Sequence, residues 1–350
     1  MFPDVIGIVG PTGIGKSEVA IRIARRVPAS ATQRGGCAMP FGAEIISVDS
    51  MQVYRGMDLG TGKPSASARK EIPHHGLDLL GPEEEFNVAR YLSAVAPGVG
   101  QINQRGRLAL LVGGTGLYLK RLLDGLCPAP GGSVPVRREL FERARAQGSG
   151  VLHAELQGVD PASAARIHPN DLKKMVRALE VYQLTQRPIS DWHKATRPLL
   201  AGEREVRLFG LTGARELIHQ RIEERVDRWL AQGWLEEARR LHGLALSRTA
   251  RKALGYEELF SFLEGKTDWE ATVRLIKQRS RQYAKRQWTW FKADPRVVWI
   301  SVDGKGPDEV TDEILRCRFQ ESDSRWSLPS RTIPDRVGDD IEGGNDTIGS

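Results

Sequence analysis

Cysteine is scarce and scattered. The 350-residue chain has three, Cys37, Cys127 and Cys317, with no CxxC pair among them. That excludes a disulfide framework and a cysteine-based zinc site, and it fits a reducing cytoplasm. Long apolar runs are absent too. The run Leu108 to Val112 (LALLV) falls far short of the roughly 20 residues that a membrane span needs. The seven histidines include no HExxH, and His74-His75 stands alone, so no metal constellation is expected from them. A strand-like run, VIGIV, starts at Val5 and leaves no room for a targeting segment ahead of it. What remains is ordinary globular composition, 40% apolar and 27% charged, which excludes a wholly disordered or fibrous chain. The length suits about two domains with a real core.

Charge is uneven. The net is +7, but residues from Gln320 onward hold seven acidic and three basic side chains, which leaves +11 on residues 1–319. A body this basic fits a polyanionic partner as well as it fits a merely basic enzyme.

Residues 5–27 read as strand, glycine loop and helix, and EIISVD (44–49) and LALLV (108–112) read as further strands. Strands alternating with helices predict an α/β fold, a parallel sheet with helices on both faces. The breaker cluster PAPGGSVP changes the pattern, and residues 131–190 read as a helical insertion, with one clear helix from about Asp171. VRLFGL (206–211) returns to the sheet. Helices are expected at about 214–243, 255–263 and 269–292, then a last strand, VVWIS (297–301). The expected organisation is a first core part over 1–130, the helical insertion domain over 131–190, a second core part over 191–319 and a disordered acidic tail over 320–350.

Gly10, Pro11, Thr12, Gly13, Ile14, Gly15, Lys16 and Ser17 (GPTGIGKS) fit GxxxxGK[ST] in full. Glycines let backbone N–H groups cradle a diphosphate, the lysine adds a point charge, and the serine can hold Mg²⁺. The motif sits between a strand and a helix, the context it requires, so the core is expected to be P-loop NTPase-like. Asp49 ends the second strand, where such proteins place a carboxylate beside Mg²⁺, although a helix cap would fit the same spacing. The polar stretch after it, with Gln52, Tyr54, Arg55 and Lys63, has no use in a plain NTPase. The third strand ends in GGTG, which puts Thr115 at the crevice outside the strand ends; a plain strand-to-helix turn would look alike.

Residues 274–292 carry seven Lys/Arg and no acid, interleaved with Tyr283, Trp288, Trp290 and Phe291. Charge for phosphates and rings for stacking fit RNA. Trp288 or Phe291 could instead pack inward behind a solvated basic face. Lys173, Lys174 and Arg177 make a second basic patch, and RTARKALGY (248–256) a third.

Taken in order, GPTGIGKS, SVDSMQVYRGMDLGTGKP, HHGLDLLGPEEEFNVARY, LVGGTGLYLKRLLDGL, IHPNDLKKMVRALEVYQLTQRP, the REL-x₃-RI-x₂-RV run, RKALGYEEL and AKRQWTWFK resemble the tRNA dimethylallyltransferase family, bacterial type, over roughly residues 4–300. The loop 30–42 reads as an insertion, and the tail has no family counterpart. The resemblance implies transfer of a dimethylallyl group from dimethylallyl diphosphate to the N6 amine of an adenine beside the anticodon, with release of diphosphate. It implies that Lys16, Ser17 with Mg²⁺, and Arg215 stabilise the leaving diphosphate, that Asp49 accepts the amine proton, and that Thr12 sits at the crevice. It implies that Asp49, Ser50, Met51 and Gln52 meet the extruded base, with Thr115 near the tRNA. Lys173, Lys174, Arg177, Arg251, Lys252, Gly255, Tyr256, Lys285 and Arg286 would grip the anticodon stem-loop, with Arg137 beside them. A cytoplasmic monomer is expected. Three other readings stay open on the residues: an adenylate isopentenyltransferase acting on free nucleotide, a small-molecule kinase using ATP, and a non-catalytic RNA-binding P-loop protein. The three basic patches count against the first two; the intact lysine, serine and aspartate count against the third.

Overall fold

The computed structural model describes residues 4–28, 42–200 and 204–317. Cys37, the 30–42 insertion except Gly42, and the acidic tail lie outside the described residues. The first stretch holds β1 (Val5–Val9), α1 (Lys16–Arg26), β2 (Ala43–Val48), α2 (Ala66–Glu71), β3 (His74–His75), α3 (Val88–Gln104), β4 (Leu108–Gly113) and α4 (Gly116–Asp124). Helices then follow without a strand: α5 (Val134–Gln147), α6 (Ser149–Val159), α7 (Pro161–Ala164), α8 (Leu172–Thr185) and α9 (Ile189–Lys194). The chain returns through β5 (Val206–Thr212), α10 (Arg215–Ala231), α11 (Trp234–His242), α12 (Arg248–Arg251), α13 (Tyr256–Leu263), α14 (Trp269–Lys292), β6 (Val297–Ser301) and α15 (Pro307–Cys317).

Among the described residues the strands form one six-stranded sheet, ordered β3-β2-β4-β1-β5-β6. Every pairing is parallel. Helices cover both faces, so β1 and β2 are buried from end to end; β1 runs apolar without alternation, and β2 does so except at Ser47 and at Glu44, which Arg105 and Arg107 neutralise. Successive side chains still divide between the faces. Ile6 and Ile8 pack with Ile23 of α1 and Ile314 of α15. Val5, Val9, Ile46 and Val48 pack with Tyr91 of α3, Leu122 of α4 and Phe291 of α14. Helices α5–α9 bury a core of their own, in which Leu140, Leu152, Leu156, Met175 and Leu179 are fully inaccessible.

The structure departs from the sequence reading at several elements. The helix expected over 214–243 is two, because Gly233 adopts φ 98° and ends one before the other begins. Helix α3 was not expected. Pro97 lies inside it and Gly98 and Gly100 follow, so turn residues mask a helical pattern that Asn87 caps through its side chain onto the Arg90 N–H. Helices α2 and α15 and the two-residue β3 were not expected either. No helix among the described residues is long and apolar enough to cross a membrane.

Candidate active site

The carboxyl ends of β1, β2 and β4 open on one cleft of about 770 Å³. The loop after β1 turns tightly. Gly10 has φ 134°, and a Cβ there would lie 2.6 Å from the Leu211 carbonyl oxygen of β5, so only glycine fits. Gly15, at φ 100°, starts α1 directly at Lys16, which leaves the first N–H groups of that helix facing the cleft. Lys16 donates to the carbonyls of Gly10 (3.0 Å) and Pro11 (2.9 Å). Burial, and repulsion by Arg225, lower its pKa to about 7, against a smaller opposing pull from Asp49. An anion bound beside this ammonium would favour its charged form.

Asp49 sits just past β2. Its Oδ1 accepts the backbone N–H groups of Met51 (2.8 Å) and Gln52 (3.3 Å). Burial pushes its carboxyl upward, opposed by those two N–H groups, Lys16 and Arg225. The turn that follows the strand and the cleft carboxylate are therefore served by the same residue. Thr115, past β4, accepts the Ser50 N–H on Oγ1 at 3.1 Å and so fixes the turn that carries Asp49. The glycines of GGTG permit these approaches: a Cβ on Gly113 would collide with the Val48 backbone, on Gly114 with the Gln287 amide, and on Gly116 with the Trp290 ring.

Two helices wall the cleft from outside the sheet. From α10 come Arg221, Arg225, Arg228 and Trp229. Arg225 lies over the Trp229 ring at 4.5 Å, and burial with the nearby Arg228 charge lowers its pKa to about 10. From α14 come Tyr283, Arg286 and Gln287. Gln287 accepts the Thr12 N–H at 2.7 Å and donates to the Gly114 carbonyl at 3.1 Å.

Several residues named from the sequence stand elsewhere. Arg215 is exposed in the first turn of α10 and outside the cleft lining. It precedes Arg221 by six positions, which turns it about 240° around the helix axis. The α10 cation whose charge acts on both Lys16 and Asp49 is Arg225. Tyr256 is wholly buried and donates its hydroxyl to Glu237, which also accepts the N–H groups of Asp58 and Leu59 at 3.1 Å. Gly255, at φ 86°, packs against Trp234. Both are therefore internal and offer no surface to a stem-loop. Gln52 does line the cleft, with its side chain committed to Ser47, Thr61 and Gly62. Lys63 is buried on Tyr54, Asp58 and Asp78, so the polar stretch that looked functional is largely a self-fastened loop.

Arg137 and Arg177 both engage Glu180, which is wholly buried on α8. Lys173, Lys174, Arg251, Lys252, Lys285 and Arg286 are exposed, though Lys174 pairs with Asp171 and Arg251 with Glu264. Lys252 and Arg286 reach the cleft; Lys173, Lys174, Arg137 and Arg177 do not line it. Met51 and Ser50 line it with Asp49. On α14, Phe291 packs inward and Trp290 stays half exposed. The sequence reading missed Arg225 and Gln287. The spacing of Arg221, Arg225 and Arg228 at four and three was the available signal for the first; Gln287 offered none.

The model of the IPP transferase family matches residues 52–294. The chain belongs to that family. It is 43% identical over 300 residues to the tRNA dimethylallyltransferase of Geobacter metallireducens, covering 85% of this chain and 92% of that one. It is also 43% identical, over 320 residues, to the tRNA dimethylallyltransferase of Symbiobacterium thermophilum, covering 89% and 94%. The crystal structure of the full-length tRNA isopentenylpyrophosphate transferase from Bacillus halodurans superposes with TM-score 0.63 at 33% identity, covering 90% of this chain and 96% of that one. A eukaryotic dimethylallyltransferase acting on tRNA gives TM-score 0.70 at 25% identity, covering 91% and 81%. The IPP transferase fold thus accounts for the parallel sheet and the P-loop that opens it. Among the described residues no group of three or more His, Cys, Asp or Glu could hold a metal. A Mg²⁺ ion would rest on the exposed Ser17 hydroxyl, water and the oxygens of a bound diphosphate, a donor set that suits this cation.

Proposed function

We propose that the protein transfers a dimethylallyl group from dimethylallyl diphosphate to the N6 amine of an adenine beside the tRNA anticodon. The observation that carries this is the facing of Asp49, a carboxylate with raised pKa, by the cations Lys16 and Arg225 across one cleft. The diphosphate lies on the N–H groups of the loop Gly10–Ser17, beside Lys16. Its charge grows as the bond from oxygen to the allylic carbon breaks, and Lys16 and Arg225 stabilise that growth. The amine nitrogen forms the new bond to carbon, and its proton passes to the Oδ2 oxygen of Asp49, whose Oδ1 is already held. A base raised by burial takes that proton more readily than an exposed aspartate does. Mg²⁺, when bound at Ser17, adds further charge neutralisation on the diphosphate.

The RNA side follows from exposure. Lys252 and Arg286 line the cleft and are exposed, so they suit the phosphates around an extruded base, while Lys285 is exposed beside them on α14. The α5–α9 unit, with Lys173 and Lys174 exposed on α8, serves as a second RNA-binding domain that corresponds to the insertion expected over 131–190 and runs on to Lys194. The protein acts in the cytoplasm as a monomer. Incubation with an anticodon stem-loop and either dimethylallyl diphosphate or ATP tests the reading. Dimethylallylated adenosine and free diphosphate from the first donor are expected. Phosphorylated product from ATP, with no prenyl transfer, contradicts it.

A further inference from the structure

The Gln287 side chain is buried and joins segments far apart in sequence. Its carbonyl oxygen accepts from the Thr12 N–H in the phosphate loop, and its amide nitrogen donates to the Gly114 carbonyl, next to Thr115. The two partners fix the amide orientation, since the first can only donate and the second only accept. Thr115 in turn holds the Ser50 N–H at the turn bearing Asp49. About two turns of α14 around Gln287 continue the connection. Tyr283, four residues earlier, lines the cleft, and the Arg286 guanidinium lies 5.7 Å from the centre of its ring. Trp290, three residues later, sits on Gly116 at the start of α4. Lys285 and Arg286, on the same turn as Gln287, are exposed.

We propose that Gln287 is a positioning residue that couples RNA docking on α14 to the diphosphate loop and to the turn that carries Asp49. A force on the exposed cations of this turn moves Gln287 against both of its partners at once. RNA and diphosphate then bind more tightly together than apart, and by linkage the effect is reciprocal. The proposal rests on the prenyl-transfer reading above.

The test measures the affinity for inorganic diphosphate with and without a saturating anticodon stem-loop. The wild-type protein should show a coupling factor of about fivefold or more. Gln287→Met fills the same space with no hydrogen bond. It should bring the factor to about one, leave each ligand's separate affinity within about threefold of wild type, and lower kcat without raising the KM for RNA. Gln287→Glu keeps the acceptor for Thr12 but sets a carboxylate against the Gly114 carbonyl. It should lose coupling as well, and it decides the matter if the methionine variant does not fold. Wild-type coupling retained in the folded variants overturns the proposal. A wild-type factor of one, with both ligands bound, overturns it and leaves prenyl transfer standing. A wild-type chain that binds no stem-loop and forms no prenylated adenosine overturns the underlying reading, and the proposal with it.

Discussion

Arg225 stacks over the Trp229 ring at 4.5 Å while its charge repels Lys16, so α10 holds one cation against another at the cleft floor. The indole face and the Asp49 charge oppose that repulsion at Arg225, and the Gly10 and Pro11 carbonyls hold the Lys16 ammonium. An incoming diphosphate relieves the repulsion. On the proposed reading the pair forms a preorganised anion site, with its electrostatic cost met in the fold rather than at the moment of reaction.

Arg225→Ala should therefore lower kcat by roughly 10²–10³, the usual loss when one donor to developing charge is removed. Arg225→Lys should recover little, since an ammonium neither stacks on Trp229 nor spans two oxygens. Steady-state kinetics with dimethylallyl diphosphate and a stem-loop check this. A kcat within threefold of wild type in the alanine variant would remove Arg225 from the account. Arg215→Ala is the control and should be near neutral, because that side chain is exposed away from the cleft.

Proton uptake should accompany donor binding. The Lys16 ammonium has a pKa of about 7 without a ligand, and an adjacent diphosphate raises it. The complex then binds more protons than the free protein between pH 7 and the raised value. Affinity should be greatest below pH 7 and fall above it, by up to about tenfold per pH unit. Calorimetry in two buffers of different ionisation enthalpy counts the protons. Lys16→Met should abolish the part of the uptake above pH 7 that exceeds the donor's own titration. Equal uptake in the two proteins would show that Lys16 is already charged.

Tyr256→Phe tests the reassignment of that residue from surface to core. Its hydroxyl donates to the buried Glu237 carboxylate, which gathers the N–H groups of the loop after Met57. Losing a hydrogen bond to a charged partner should cost about 1.5–3 kcal/mol in denaturant unfolding. Stem-loop affinity should stay within twofold. A weaker grip on RNA with unchanged stability would return Tyr256 to the interface.

The elements that position the cleft were legible because two strong patterns coincide there. A buried parallel strand reads as an apolar run, and a phosphate loop must carry glycines where φ is positive, as at Gly10, Gly13 and Gly15. Asp49 followed from its place at a strand end, whereas Thr115, expected at the crevice, is outside the cleft lining and holds the Ser50 N–H instead. What was not legible depends on long-range packing. Gln287 acts across 275 residues and has no local signature. Gly255 and Tyr256 adjoin basic residues in sequence, but a glycine turn against Trp234 directs them inward. Arg215 was placed by resemblance, and it lies nearly three turns of α10, about 15 Å of helix, before Arg225. Helix α3 was hidden by its own proline and glycines.

The central claim is that Asp49 takes the proton of the attacking amine while the cations opposite hold the diphosphate. The most direct measurement is the rate of dimethylallyladenosine formation by Asp49→Asn at saturating donor and stem-loop, beside its stem-loop Kd. Asparagine keeps the shape and the two backbone contacts of Oδ1 but cannot accept a proton at this cost. A rate at least about 10²-fold below wild type, with Kd within threefold, is the predicted result. Retention of more than a tenth of the wild-type rate would contradict the account.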